Sequence, residues 1–252
     1  MIQADLISIN HLKSRRGVAP VGGIVREFMV GMDDAGELDS RWCDMAAPYY
    51  IWKHHTAPEP QWAVPPIIGF HGYRKHINFR DSLQEVPWSL ALGWQEVDKM
   101  VFRTYQTWLV NNMNGRTLRT LLGDDTFDVL SVAPFSCHYN MNMAIDYRVS
   151  RSAADWFAFE DVMKAHGDFD FGTPNIRPMH FVTTDNIFFA FMRFFDKVRQ
   201  DLEPLIKSED TTNEAYKRRS LAFLAERMWS LWLDASGLRV KELPLMICWS
   251  PQ

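Results

Sequence analysis

The sequence predicts an α/β fold, and three observations lead to it. Short apolar runs that suit buried strands alternate with amphipathic stretches of helical length. Two long helical stretches come late in the chain. The 252 residues are 47% hydrophobic and 23% charged, a composition that suits a folded domain with a sizeable core. We therefore interpret residues 1–252 as a single domain.

Five apolar runs carry the strand prediction. Each has four to seven residues and is bounded by polar residues, glycine or proline. Loops that follow such strands are where α/β folds place their ligands. The predicted strands are Leu6–Ile9, Ile67–Phe70, Asp128–Ala133, Met179–Val182 and Leu243–Trp249.

Helical periodicity and end signals predict the helices. Thr184 suits a helix N-cap, and Thr211 and Glu214 have capping-box spacing. Gly237 is a good C-terminal stop. The predicted helices are Trp42–His54, Trp88–Leu109, Ala153–Ala165, Asp185–Ile206 and a final one from about Thr211 to Gly237.

Charge and motifs exclude several classes of protein. The net charge is -4 and no long basic tract occurs, which argues against general nucleic-acid binding through phosphates. P-loop, G-x-S-x-G and G-x-G-x-x-G motifs are absent. The sequence therefore does not indicate a P-loop NTPase, a hydrolase with a nucleophile elbow or a dinucleotide-binding oxidoreductase. The three cysteines fit neither a disulfide framework nor a zinc knuckle.

A basic and aromatic segment, residues 71–76 (HGYRKH), directly follows a predicted buried strand. Gly72 would let backbone approach a ligand closely. Arg74 and Lys75 could neutralise a diphosphate. A solvated loop without a specific role is the open alternative. His71 and His76 are five residues apart, which is not a usual zinc spacing, so we predict no metal there.

The final predicted helix carries a second charged group. Arg219 and Glu226 are seven residues apart and so share a helix face, and Arg227 adjoins them. Such residues form either a structural clamp or a ligand contact.

Three separated segments, in order, resemble one family. They are WCDMAAPYYIWK at 42–53, IGFHGYRKH at 68–76 and RSLAFLAERM at 219–228. The first looks like Y-C-E-L-T-x-x-Y-W-x-W-K and the second like I-G-L-x-H-Y-R-R-Y. The third looks like R-x-x-G-[FY]-L-[SA]-E-R-L. The family is described as a domain of unknown function, occurs in capsular and O-antigen polysaccharide clusters, and is regarded as glycosyltransferases.

The resemblance implies a fold and an activity. The fold is a GT-A-like (Rossmann-type) nucleotide-sugar-binding sheet flanked by helices, with long C-terminal helices. The activity is transfer of a sugar from a nucleoside-diphosphate-sugar donor to a glycan, a lipid-linked acceptor or another hydroxyl. The resemblance leaves open whether the donor is a hexosyl or a galactofuranosyl nucleotide.

The resemblance also assigns site residues. Asp44 takes the family's acidic position, Tyr73 and Arg74 match outright, and Gly72 stands where the family has His, with His71 one place earlier. For the catalytic base, Asp44 and Glu226 are our candidates, and Asp155 and Asp185 remain conceivable. The expected donor-binding residues are His71, Tyr73, Arg74, Lys75, Arg219 and Arg227.

We expect a metal cofactor only if the chain contains an acidic motif that can bind one. Glycosyltransferases with this kind of fold commonly bind a divalent cation on a D-x-D segment after a strand. Here Asp168-Phe169-Asp170 has that spacing but follows a predicted helix, so we interpret it as a solvated acidic turn. The pairs Asp33-Asp34 and Asp124-Asp125 lack the spacing. We expect basic and aromatic side chains to replace the metal, with Mn²⁺ or Mg²⁺ as the open alternative.

Two further expectations concern context. The longest apolar stretch, Ile187–Met192, is far shorter than the roughly 20 residues that span a bilayer. We therefore expect a cytoplasmic protein that meets any membrane-bound acceptor peripherally, from the surface. The alternative to an enzyme is a non-catalytic glycan- or nucleotide-binding module, or a scaffold subunit, on a decayed transferase fold.

Overall fold

A computed structural model gives the structure of the chain. It describes residues 2–11, 23–30, 38–56, 63–72, 75–79, 94–123, 126–136, 142–207, 217 and 219–248. The strands are β1 (Ala4–His11), β2 (Val25–Val30), β3 (Ile67–Gly72), β4 (Lys75–Ile77), β5 (Trp94–Glu96), β6 (Val129–Val132), β7 (Phe135–Ser136), β8 (Asn175–Ile176), β9 (Phe181–Thr184), β10 (Val240–Leu243) and β11 (Leu245–Ile247).

The helices lie between these strands. A short 3₁₀ helix, Ser40–Met45, leads into the first α-helix. The α-helices are α1 (Ala46–His54), α2 (Lys99–Asn112), α3 (Gly115–Leu121), α4 (Met143–Ser150), α5 (Ala153–His166), α6 (Asp185–Leu202) and α7 (Ser220–Ser236).

A mixed sheet forms the centre of the molecule. One run of neighbours is β2-β1-β3-β9-β6-β10, in which β9 is antiparallel to both β3 and β6. A second run, β4-β11-β5, joins β3 through the antiparallel pair Gly72 and Lys75. β7 and β8 pair separately.

Helices cover both faces of the sheet. Because side chains alternate along a strand, Phe181 packs in the core with α1 and α4–α7, whereas Val182 packs in the core with α2 and α3. A sheet buried on both faces explains why its central strands read as continuous apolar runs. The α/β prediction, with its flanked sheet and long late helices, is confirmed.

Most predicted elements occur close to their expected bounds. The strand predictions around β1, β3, β6 and β9 and the helix predictions around α5 and α6 are confirmed. Gly237 ends α7 with a φ of 66°, the left-handed conformation that favours glycine. The proposed capping pair Thr211 and Glu214 lies outside the described residues.

Three predictions were wrong in kind. Of the predicted helix Trp88–Leu109, residues 88–93 lie outside the described residues, and Trp94–Glu96 is a strand that pairs with β11. The helix begins at Lys99, since Asp98 caps it by accepting from Met100 N and Val101 N. Of residues 71–76, the four that the structure describes, 71, 72, 75 and 76, are strand rather than loop. The last predicted strand is interrupted at Pro244, which separates β10 from β11. Helices α3 and α4 were missed.

Candidate functional site

A polar cleft opens where β3 ends and β4 begins, against α7. Trp42, Asp44 and Met45 reach it from the 3₁₀ helix, and Lys75 from the start of β4. Met179 and His180 come from the segment before β9, and α7 contributes the rest. The lining residues among those described are Trp42, Asp44, Met45, Lys75, Met179, His180, Arg219, Ala222, Ala225 and Glu226. We call this set the cleft.

The 3₁₀ helix is fixed so that Asp44 faces the cleft. Trp42 is buried, and its Nε1 donates to Glu203 Oε2 at 2.9 Å. Met45 is buried on the same element. Between them the backbone turns sharply at Cys43, whose φ of 53° is unusual for a residue with a side chain. Asp44 follows this turn and lines the cleft.

Helix α7 brings one cation and one acid to the cleft. Arg219 is the N-cap residue of α7 and Glu226 lies about two turns later, and both line the cleft. Desolvation lowers the pKa of Arg219, but attraction to Cys43, Asp44 and Glu226 outweighs it, so the pKa is raised overall. Arg219 is therefore a fixed positive charge held among the acids of the cleft.

Strand alternation divides residues 71–77 between two environments. Gly72 and Lys75 are paired across β3 and β4 and face the cleft. Their neighbours His71 and His76 face the opposite side, toward α2. A period of two residues thus separates the cleft side of this segment from its core side.

A buried histidine cluster lies beside the cleft. It consists of His71, His76 and His180, all buried. The rings of His71 and His76 are 3.8 Å apart between centroids, and His76 Nε2 lies 3.2 Å from Gln106 Nε2 on α2. Burial, followed by repulsion from other histidines, lowers the pKa of His71 well below its usual value and that of His76 to about 3. The cluster is therefore neutral near pH 7.

His180 belongs to both the cluster and the cleft. Burial and then the charge of Lys75 lower its pKa to about 3, although Asp44 acts in the opposite direction. Sequence reasoning missed this residue. The predicted strand Met179–Val182 included it, whereas in the structure it comes just before β9, at the sheet edge where β3 also ends.

The structure brings together four of the eight predicted site residues: Asp44, Glu226, Lys75 and Arg219 all line the cleft. Tyr73 and Arg74 lie outside the described residues. His71 is buried in the histidine cluster and does not line the cleft.

Arg227 is placed elsewhere. Its guanidinium is buried and donates to Asp146 Oδ2 at 3.0 Å and to Phe223 O at 2.9 Å. It also lies over the ring of Tyr147. The Arg227–Asp146 pair ties α7 to α4, so Arg227 acts as a structural clamp with Asp146, and not Glu226, as its partner.

The other candidate acids are also away from the cleft. Asp155 is buried in the first turn of α5, and Asp185 begins α6, where its Oδ1 accepts from Asn186 N. Asp168 and Asp170 lie in an exposed turn, in which Asp170 Oδ1 accepts from Gly172 N. Asp44 and Glu226 are therefore the two acids of the original candidates that line the cleft.

The enclosed part of the cleft is small, about 20 Å³, on the order of one water molecule. It marks the polar base of a site rather than room for a whole sugar nucleotide. A shallower depression of about 390 Å³ lies along α2, lined by Lys99, Met100, Arg103, Thr104 and Thr107. It presents a single helix face and none of its lining residues is acidic.

The described residues contain neither a cluster of metal ligands nor a membrane-spanning helix. There, no three His, Cys, Asp or Glu side chains are grouped as metal ligands would be. Asp33-Asp34 and Asp124-Asp125 lie outside that part of the chain. No helix within it has the length and apolar character needed to cross a membrane.

Comparison with known proteins agrees with the fold. A bifunctional glycosyltransferase, WbbM, solved in its apo form, superposes with a TM-score of 0.68 over 98% of this chain, at 17% sequence identity. At that identity the likeness shows the fold alone. This chain covers 45% of the WbbM chain. No curated protein matches the sequence.

A family model also matches the chain. The model is named Domain of unknown function (DUF4422) and matches residues 29–237. That range includes the three segments on which the resemblance was based. The chain therefore belongs to the DUF4422 family, as its sequence motifs predicted.

Proposed function

We propose that this protein is a glycosyltransferase that moves a sugar from a nucleoside-diphosphate-sugar donor to a hydroxyl acceptor. One observation carries the proposal: Asp44, Lys75, Arg219 and Glu226, from three distant segments, meet in one cleft. The glycosyltransferase-like fold supports it. A charged surface without a binding role would not need residues from three distant segments to meet in one cleft.

The two cations suit the leaving group. When the bond between the anomeric carbon and the diphosphate breaks, the diphosphate takes the bonding electrons and gains negative charge. Lys75 and Arg219 lie where they can stabilise that charge. Arg219 offers a bidentate fork and Lys75 a point charge.

The acids suit the acceptor. Its hydroxyl oxygen attacks the anomeric carbon and must lose a proton, and a carboxylate within hydrogen-bond reach can take it. Asp44 is our candidate for this base, with Glu226 as the second. The acceptor is a glycan, a lipid-linked glycan or another hydroxyl compound.

Donor binding can be tested by thermal shift with UDP, GDP, CDP and ADP and their common sugar conjugates. A ligand at 100 times its Kd stabilises the fold by about 2.7 kcal/mol, or a Tm rise of roughly 5–10 °C for a domain of this size. We expect one base to stand out. A panel without any shift would contradict donor binding.

A variant locates the binding site. Lys75→Ala should weaken binding of the selected diphosphate by about 10-fold to 100-fold, because a charge-assisted hydrogen bond is lost. The matched control is Lys164→Ala, since Lys164 is paired with Glu160 at 2.7 Å on α5, away from the cleft. Equal effects of the two changes would argue against the cleft.

A further inference from the structure

Gly72 differs from the other glycines that the structure describes. Each of those has a local reason to be glycine. Three have positive φ: Gly23, Gly123 and Gly237. At the other four a Cβ atom would lie 3.0 Å or less from a neighbouring atom: Gly69, Gly115, Gly167 and Gly172.

Neither reason applies to Gly72. Its φ lies outside the left-handed region. An added Cβ would lie 3.5 Å from His180 Cε1 and 4.0 Å from Asp44 Oδ2, which are ordinary van der Waals distances. Alanine would therefore fit at position 72 in both backbone conformation and packing. The bare backbone keeps open a space between a carboxylate and an imidazole.

We propose that this space, the Gly72 notch formed by Gly72, Asp44 and His180, receives a hydroxyl-bearing edge of the donor sugar. The inference rests on the proposed function and adds the position of the sugar. A side chain at position 72 would fill the space that a hydroxyl and its carbon need.

The chemistry of the two walls favours a hydroxyl over a phosphate. The Asp44 carboxylate accepts hydrogen bonds from hydroxyl groups but repels phosphate oxygens. The His180 imidazole, neutral because burial and Lys75 keep its pKa near 3, hydrogen-bonds the Met179 backbone and points Cε1 at Gly72, and its buried Nδ1 has no hydrogen-bond partner among the described residues. A hydroxyl group both donates and accepts, so it suits this nitrogen in either tautomer.

The notch adjoins both cations of the cleft, since Arg219 interacts with Asp44 and Lys75 with His180. Phosphate oxygens fit beside Lys75 and Arg219, and hydroxyl groups fit between Asp44 and His180. A sugar nucleotide carries both kinds of group next to each other. The arrangement therefore orients the donor with its anomeric carbon between the two cations and the notch.

The test is Gly72→Ala, with Kd measured by calorimetry for UDP against UDP-glucose and UDP-galactose, and for GDP against GDP-mannose. We expect a Tm close to wild type and a diphosphate Kd within about twofold. The preference of the site for the sugar conjugate over its diphosphate should fall by roughly tenfold or more. Gly69→Ala is the matched control: its Cβ would lie 2.6 Å from Val182 Cγ2, so it should lower Tm without changing that preference.

Three results would overturn the inference. An unchanged preference in Gly72→Ala would show that no sugar group enters the notch. A large fall in its Tm would show that glycine serves packing. Failure of the wild-type protein to bind any of these diphosphates would overturn the proposed function itself, and the notch with it. The first of these results, an unchanged preference with diphosphate binding retained, would overturn the notch and leave the proposed function standing.

Discussion

The cleft and the histidine cluster both include side chains from residues 71–76, at the end of β3 and the start of β4. They differ in how deeply these side chains are buried. In the cleft, Asp44 and Lys75 are only half-buried and lie near Arg219. In the cluster, His71 and His76 are fully buried, and burial holds them neutral. Acidic and basic side chains therefore line the cleft, where a ligand can reach them, and neutral imidazoles fill the buried cluster.

The same division occurs along α7. Arg219, at the start of the helix, lies in the cleft and over the Phe223 ring. Arg227, two turns later, is buried against Asp146. Two arginines of one motif thus have different tasks, one suited to a ligand and the other to holding two helices together.

The largest expected effect concerns Arg227. Arg227→Ala should lower the free energy of unfolding by about 3–5 kcal/mol, because it leaves the Asp146 carboxylate buried without its partner. Arg219→Ala should change that free energy by less than about 1 kcal/mol and instead weaken diphosphate binding. Urea unfolding and calorimetry on both variants measure the contrast. Similar stability losses in the two would break it.

Acid should destabilise the protein through the histidine cluster. The pKa values of these side chains are lower in the folded protein than the ordinary value near 6.5, so the unfolded chain binds more protons. The free energy of unfolding therefore falls as pH drops from about 6.5 toward 3, by about 1.4 kcal/mol per pH unit for each histidine. His76→Gln should reduce that slope by about one proton, measured by urea unfolding across this range.

The control for this slope is Tyr105→Phe. The Tyr105 hydroxyl donates to Ile77 O and accepts from Phe79 N in the same core, so the change should lower stability. It removes no group that titrates between pH 3 and 6.5. An unaltered slope in His76→Gln would mean that the cluster is not held neutral.

The smallest expected effect is that of metal removal. We expect donor binding in excess EDTA to equal that in Mn²⁺ or Mg²⁺, because Lys75 and Arg219 supply the positive charge for the diphosphate. Calorimetry of the selected diphosphate in both conditions measures it. A requirement for Mn²⁺ or Mg²⁺ would show that a metal ion held by acidic side chains, and not Lys75 and Arg219 alone, binds the diphosphate.

Local patterns predicted much of the fold. Apolar runs indicated β1, β3, β6 and β9 because these strands are buried on both faces, and Gly237 marked the end of α7 through its own conformation. Strand β5 was missed because three residues carry little pattern, and its pairing with β11 joins segments about 150 residues apart.

The site was predicted only in part, for a related reason. Motifs identified Asp44, Lys75, Arg219 and Glu226, but reading residues 71–76 as a loop hid their alternation. That alternation is what separates Lys75 from His71 and His76. His180 enters the cleft only through the antiparallel pairing of β9 with β3, a non-local contact that no short motif records.

The most direct test of the central claim compares two acids. Release of the nucleoside diphosphate from the selected sugar nucleotide should be measured, with and without acceptor, for Asp44→Asn and Asp168→Asn. We predict that Asp44→Asn lowers turnover by about 100-fold or more with little change in the Kd of the nucleoside diphosphate, and that Asp168→Asn, in the exposed acidic turn, matches wild type. Loss of turnover in Asp168→Asn with wild-type turnover in Asp44→Asn would contradict the account and move the chemistry to the D-x-D turn.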